Sequence, residues 1–510
     1  MSLSPLETAL LVTYFGVLLV LSMYGTHRYY MAYLYYRYRH NRRDRMRPPA
    51  FEDAWPRVTV QLPVFNERYV VERLIDAVCQ FDYPRDRLSV QVLDDSTDDT
   101  VEISRARVEH WRAHGVDVEL IHRQDRSGYK AGALENGLHR TQGDLIAVFD
   151  ADFVPEPDFL KQTVPHFVDP GIGMVQVRWG HINRDFSPLT QAQAILLDGH
   201  FVIEHSARNR SGRFFNFNGT AGIWRRSTIV DAGGWQHDTL TEDLDLSYRA
   251  QLKGWRFVFL QDVVSPGEVP VDINAFKSQQ HRWAKGSVQT ALKLLPQLLR
   301  SNQPLPIKTE AFFHLTANFA YPLLVLLSLL MPLSILVRSH HSLAEVLLLD
   351  IPCFMAATMS VCSFYAMSQR EIGEAKWQRI KYIPFVMSMG IGLSLSNSKA
   401  VIEALLGHES PFLRTPKHGV LKTGEAWKNK LYRGTKSLLP YLEVALGLYY
   451  SITLYLAVRA EHWGALPFLV LFQFGFLYVG VMSLLQTYGA RPALSEPSDS
   501  TKSIAERRAA

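Results

Sequence analysis

A chain of 510 residues is too long for one ordinary domain, and its mean hydropathy of −0.04 averages two unlike populations of sequence. The formal charge of +5 does not call for a nucleic-acid partner, because much of the basic excess sits beside apolar runs where anionic headgroups would be met. Cys79, Cys353 and Cys362 lack metal-ligand spacing, which argues against a disulfide framework or a structural zinc site. In chain order, the first apolar run is Ala9–Met23, followed by "HRYYMAYLYYRYRHNRRDRMR". Basic residues follow the run instead of preceding it, so residues 1–50 read as an uncleaved anchor with a cytoplasmic basic segment whose tyrosines suit the headgroup zone.

Residues 51–276 alternate strand and helix patterns, which predicts a mostly parallel α/β sheet with crossover helices. The strand in "RVTVQLPVFNE" runs into a Pro/Asn turn, and the one in "LSVQVLDDSTDDT" stops at Asp94 and Asp95, after which Ser, Thr and Asp can cap a helix. "FDADF" places Asp150 and Asp152 at a third strand end, where α/β sheets bind ligands. Two carboxylates so spaced can share a hard cation that also takes diphosphate oxygens, although strand-terminal acids more often cap helices or solvate loops. In "TEDLDLSYRAQLKGW", Thr241 can cap a helix carrying Glu242 and Asp243 in its first turn. Asp243 can alternatively serve as a general base.

Further along, "KSQQHRWAKG" opens a segment, 277–310, expected to hold interfacial helices with Lys277 and Lys285 toward headgroups. Apolar runs at 312–337, 346–367, 439–458 and 465–485 match the length of a membrane crossing, giving two hairpins, 311–368 and 439–488. Residues 369–438 between them are expected to hold an interfacial or re-entrant helix, 382–407, and a cytoplasmic loop. The tail, 489–510, reads as mobile.

Taken together, "QLPVFNER", "VQVLDDSTDDT", "GYKAGAL", "FDADFVPEPDFLKQTVPHF", "FFNFNGTAGIWRR", "TEDLDLSYRAQLKGW" and "QQHRW" make the chain resemble processive family 2 glycosyltransferases of the cellulose synthase superfamily. The wording is closest to the plant cellulose-synthase-like A and C groups, the mannan and xyloglucan-backbone synthases. The resemblance implies a GT-A fold inserted between transmembrane helices and a magnesium or manganese cofactor. It puts Pro63, Phe65, Glu67, Asp94, Asp95, Lys130, Asp150, Gln279 and Arg282 at the nucleotide-sugar donor, and Asp150 and Asp152 at the metal. Asp243, beside Glu242, matches the catalytic base; Trp283, Asn218, Gly219 and Thr220 fall at the acceptor. "SPFLRTPKHG" resembles the gating loop through Phe412, Thr415 and Lys417, with Arg414 where valine is usual.

The implied reaction is inverting hexosyl transfer from GDP-mannose or UDP-glucose to a growing β-glycan, a β-1,4-linked mannan, glucan or glucomannan, with translocation of the polymer. A non-processive glycolipid synthase is the alternative, and a non-catalytic nucleotide-sugar-binding membrane protein the third reading. Expected partners are donor, glycan or lipid acceptor, and bilayer, with room for accessory export proteins and no nucleic acid. The membrane would be the plasma membrane of a bacterium or the Golgi of a plant-like source.

Overall fold

The structure, a computed structural model, describes residues 4–41, 55–338, 351–373, 376–410, 414–420, 437–459 and 461–488. Phe412 and the tail expected to be mobile lie outside the described residues.

Seven strands form one sheet: β1 (Val58–Val64), β2 (Leu88–Asp94), β3 (Val118–His122), β4 (Leu145–Val148), β5 (Ile172–His181), β6 (Gly222–Arg225) and β7 (Arg256–Gly267). Their order is β3-β2-β1-β4-β6-β5-β7, and only β6 runs against its neighbours β4 and β5. The mostly parallel expectation therefore holds. β1 and β4 are buried almost throughout, as strands covered by helices on both faces must be. Helices Val71–Cys79, Thr100–Ala113 and Tyr129–Arg140 make the crossovers from β1 to β4. The chain winds outward from β1 to β3 and then returns to place β4 on the other side of β1. That reversal opens a crevice beyond the carboxyl ends of β1 and β4, the place where such sheets take ligands.

Of the expected caps, Asp98 serves the start of helix Thr100–Ala113 by accepting from the Thr100 N–H at 3.0 Å, whereas Thr241, at the N-cap position of Glu242–Leu252, makes no capping bond. Thr241 Oγ1 instead meets Thr290 Oγ1 at 3.3 Å, so this threonine ties the helix start to a neighbouring helix.

Among the described residues, four helices are long and apolar enough to cross a membrane: Pro5–Arg37, Leu305–Val337, Leu439–Arg459 and Trp463–Tyr488. The first absorbs both the apolar run and the tyrosine-rich segment, starting at a capping box between Ser4 and Glu7. Not all its tyrosines face headgroups: Tyr35 is buried and donates to Glu371 Oε2 at 2.8 Å. The run 346–367, expected to span, lies partly outside the described residues. Its described part is broken by a π-helical turn at Met355–Met359 and lies so close to the first helix that a Cβ on Gly25 would fall 2.0 Å from the Ala356 carbonyl oxygen. Residues 378–405 form two helices bent by 42° around Leu393, the geometry of a broken span or a re-entrant segment.

Helix Ile273–Arg300 joins the two halves of the molecule and begins before the boundary drawn at 277. Asp272 caps it by accepting from the Ala275 N–H at 2.8 Å. Gln279, Arg282 and Trp283, spaced i, i+3 and i+4, share the face toward the sheet; Lys277, His281 and Lys285 share the opposite one. The two lysines do not reach headgroups. Lys277 Nζ lies 2.7 Å from Glu443 Oε1, and Lys285 Nζ lies 3.2 Å from Glu403 Oε2, both with buried ammonium groups. Apolar-facing lysines needed counter-ions, and acidic residues of Leu439–Arg459 and Ser394–Leu405 supply them.

Candidate active site

The crevice is lined by residues from the carboxyl ends of β1 and β4, the segment after Asn218, the start of helix Glu242–Leu252, helix Ile273–Arg300 and the loop 414–417. Of the expected site residues it gathers Pro63, Phe65, Glu67, Asp95, Lys130, Asp150, Asp152, Asn218, Gly219, Glu242, Asp243, Gln279, Arg282, Trp283, Thr415 and Lys417.

Two expected residues do not line it. Asp94 is fully buried and accepts from the Ser96 N–H at 2.7 Å, so it shapes the turn after β2. Thr220, also buried, accepts from the Asp150 N–H at 2.9 Å and thus fixes the strand end that carries Asp150. Asp95 does face the crevice, clamped by Arg123 through contacts of 2.7 and 2.6 Å.

The carboxylates are arranged around a small number of cations. Lys130 Nζ lies 2.5 Å from Asp150 Oδ1, 2.8 Å from the Gly219 carbonyl oxygen and 3.9 Å from Glu242 Oε1. Gly219, at φ +79°, allows this close approach, since a Cβ there would sit 3.1 Å from Asp243 Oδ2 and 3.4 Å from Lys130 Nζ. Asp243 Oδ1 accepts from the Leu244 N–H at 2.8 Å. Burial, followed by the adjacent Glu242 charge, pushes the Asp243 carboxyl up to about 7, with Lys130 opposing. Burial also pulls the Arg282 guanidinium down, while Glu242, Asp150, Asp243 and Asp152 hold it charged.

The loop 414–417 closes one side. Arg414 reaches Glu67 Oε1 at 2.5 Å and also donates to the Asn66 carbonyl oxygen. Thr415 Oγ1 lies 3.4 Å from Arg282 Nη1, and Lys417 Nζ lies 2.7 Å from Asp152 Oδ2. Burial raises the Glu67 carboxyl to about 7 despite Arg414. Arg414 therefore supplies what the usual valine could not, a counter-charge for a carboxylate of the β1 turn. That pairing could not be read from sequence, because its partners are separated by nearly 350 residues.

Sequence reasoning also missed Arg126, His181 and Glu268. Arg126 stacks its guanidinium 3.4 Å from the Phe65 ring centroid, and Glu268 takes Arg73 at 3.0 Å and the His418 N–H at 3.1 Å. All three line the crevice, and none stands in a patterned motif that could have marked it.

Among the described residues no group of three or more His, Cys, Asp or Glu side chains forms a ready metal cage. Asp150 and Asp152 nevertheless suit a hard divalent cation that draws its other oxygens from phosphate and water. The crevice is lined by seven carboxyl groups and five Arg and Lys side chains.

Residues 56–286 match the family described as glycosyltransferase like family 2. Glucomannan 4-beta-mannosyltransferase 1 of Oryza sativa subsp. japonica is 44% identical over 261 residues, 50% of this chain and 50% of that protein. Glucomannan 4-beta-mannosyltransferase 2 of Arabidopsis thaliana is 43% identical over 254 residues, 49% of this chain and 48% of its own length. The chain thus spans about half the length of the relatives it matches. Among solved structures, the mannosyltransferase PcManGT from Pyrobaculum calidifontis, in complex with GDP-Man and Mn2+, covers 78% of this chain and 100% of its own, with a TM-score of 0.51 at 20% identity. That likeness is one of fold, and it agrees with the GT-A architecture expected from the sequence. The residues that match this family, 56–286, build the whole sheet and most of the crevice.

Proposed function

We propose that this chain is a membrane-embedded, inverting hexosyltransferase that moves mannose from GDP-mannose onto a β-1,4-linked mannan or glucomannan. The observation that carries the reading is the meeting of Asp150, Asp152, Asp243, Arg282 and Trp283 in one crevice, within a region 44% identical to a protein named for glucomannan mannosyl transfer. Asp243 takes the proton from the acceptor hydroxyl as that oxygen attacks the anomeric carbon and the bond to the diphosphate breaks. Inversion at that carbon turns an α-linked donor into a β-linked product without a covalent intermediate.

Arg282 and Lys130 meet the charge that develops on the leaving diphosphate, a preorganised electrostatic contribution that usually dominates such reactions. Asp150 and Asp152 would hold a magnesium or manganese ion, which when bound would neutralise phosphate charge. Trp283 offers an indole face to the apolar face of the acceptor pyranose. Its helix also contacts the apolar helices, so acceptor and membrane adjoin. The glucan-forming variant, with UDP-glucose, differs only in donor.

The test is a donor panel with purified full-length protein, divalent cation and β-1,4-manno-oligosaccharides. GDP release with GDP-mannose, coupled to lengthening of the oligosaccharide, is expected. Release only with UDP-glucose would change the donor, and one sugar added to an extracted lipid would replace the glycan reading with the glycolipid one.

A further inference from the structure

Helix Glu242–Leu252 carries Asp243 in its first turn and begins without a side-chain cap, so no local side chain fixes the backbone as it enters the helix. Helix Ile273–Arg300 holds that entry instead. Gln289 Oε1 accepts from the Leu240 N–H at 2.9 Å, and the Thr241 hydroxyl meets that of Thr290. One turn further on, Lys293 Nζ lies 2.8 Å from Asp238 Oδ1 and 2.9 Å from Asp245 Oδ1. The two segments touch closely at Gly286, where a Cβ would fall 2.6 Å from Thr241 Cγ2 and 2.9 Å from the Thr241 backbone nitrogen. A side chain at 286 would therefore push the entry away.

These contacts continue the face that already carries Gln279, Arg282 and Trp283. Gly286, Gln289 and Lys293 follow Trp283 at intervals of three and four residues, so one helical stripe serves the crevice with its first turns and clasps the Asp243 entry with the next. Gln289 stands two turns beyond Arg282, about 10 Å along the axis, and does not line the crevice, whereas Leu240 and Thr241 do. The carboxylate moves with that entry. Asp243 Oδ1 accepts from the Leu244 N–H of its own helix at 2.8 Å, and its carbonyl oxygen accepts from the Ser247 hydroxyl at 2.6 Å, so side chain and first turn form one body.

We infer that Gln289 and Gly286 are positioning residues for Asp243: they seat the first turn of its helix against helix Ile273–Arg300, and so fix the base relative to Arg282, which meets the leaving group. This rests on the function proposed above, in which Asp243 takes the acceptor proton. A residue that acts only through Asp243 costs the reaction nothing once that carboxylate is gone. One that merely supports the fold costs the same with or without it. Donor binding should be spared, because Gln289 is hydrogen-bonded to the entry of the helix and not to a donor residue.

The experiment compares full-length wild type, Gln289→Leu, Asp243→Asn and the double variant. Radiolabelled transfer from GDP-mannose to β-1,4-mannotetraose gives kcat and both KM values, calorimetry gives the affinity for GDP, and melting temperature checks folding. Gln289→Leu should lower kcat about tenfold, part of what a well-placed general base contributes, with both KM values and the GDP affinity within about twofold of wild type. In the Asp243→Asn background the same substitution should change kcat by less than about twofold. Gly286→Ala, which sets one methyl group against Thr241, goes through the same cycle with the same expectation, and decides the matter if Gln289→Leu does not fold. Unchanged kcat in folded Gln289→Leu, an equal loss in both backgrounds, or a fall in GDP affinity as large as the fall in kcat would each overturn the inference and leave the function intact. If Asp243→Asn works at the wild-type rate, or wild type transfers no mannose to mannotetraose, the proposed function fails and the inference falls with it.

Discussion

The Asp243 carboxyl, raised to about 7, makes the pH profile a direct test of the proposed base. A raised carboxyl is neutral below its pKa, so the form able to accept a proton appears as pH increases. The kcat/KM for transfer, which reports the free enzyme, should climb through neutrality and be about tenfold lower at pH 6 than at pH 8. Asp243→Asn should remove about 100- to 10,000-fold of the rate and leave the residue without that acid limb. The causes of the shift give two further signs. Glu242→Gln removes a neighbouring negative charge and should move the limb to lower pH; Lys130→Met removes the opposing cation and should move it higher. GDP release, followed from pH 5 to 9 at saturating divalent cation, measures all four proteins. A profile flat between pH 6 and 8, or limbs shifting in the reverse order, would refute the assignment.

The buried Lys277–Glu443 pair predicts an asymmetric stability cycle. Lys277→Met strands a buried carboxylate and should cost about 3–5 kcal/mol, whereas Lys277→Met with Glu443→Leu should return close to wild type. Melting in one detergent reads this, and equal losses in single and double variants would show that the pair matters only through packing. Lys417 holds the Asp152 carboxylate that a divalent cation would use, so Lys417→Ala should bind Mn2+ more tightly in the absence of donor, while sugar transfer slows. Electron paramagnetic resonance titration gives the affinity, and unchanged Mn2+ binding would contradict that competition.

Local pattern carries far in this chain. The abrupt ends of apolar strands at Asp95 and Asp150 mark carboxyl termini in a parallel sheet, and i, i+3, i+4 spacing puts Gln279, Arg282 and Trp283 on one helical face. Long apolar stretches likewise mark the four membrane-length helices found among the described residues. These features were legible because each depends on periodicity within a few residues. What lay beyond such reach was partnership. Asp94 and Asp95 are equivalent in sequence, yet one turns inward to Ser96 and the other outward to Arg123, a choice made by the turn and by its neighbours. Basic residues beside an apolar run suggest headgroups, but Lys277 and Lys285 find carboxylates more than 100 positions away.

The sequence by itself determined the α/β domain, its membrane-length flanks and the types of side chain available for transfer, since periodicity and strand-end chemistry are local properties. Only the tertiary structure decided which carboxylates share the crevice, which cations balance them, and how Arg414 enters the site. Charge pairing acts over a few ångströms of space, and that distance bears no relation to separation along the chain.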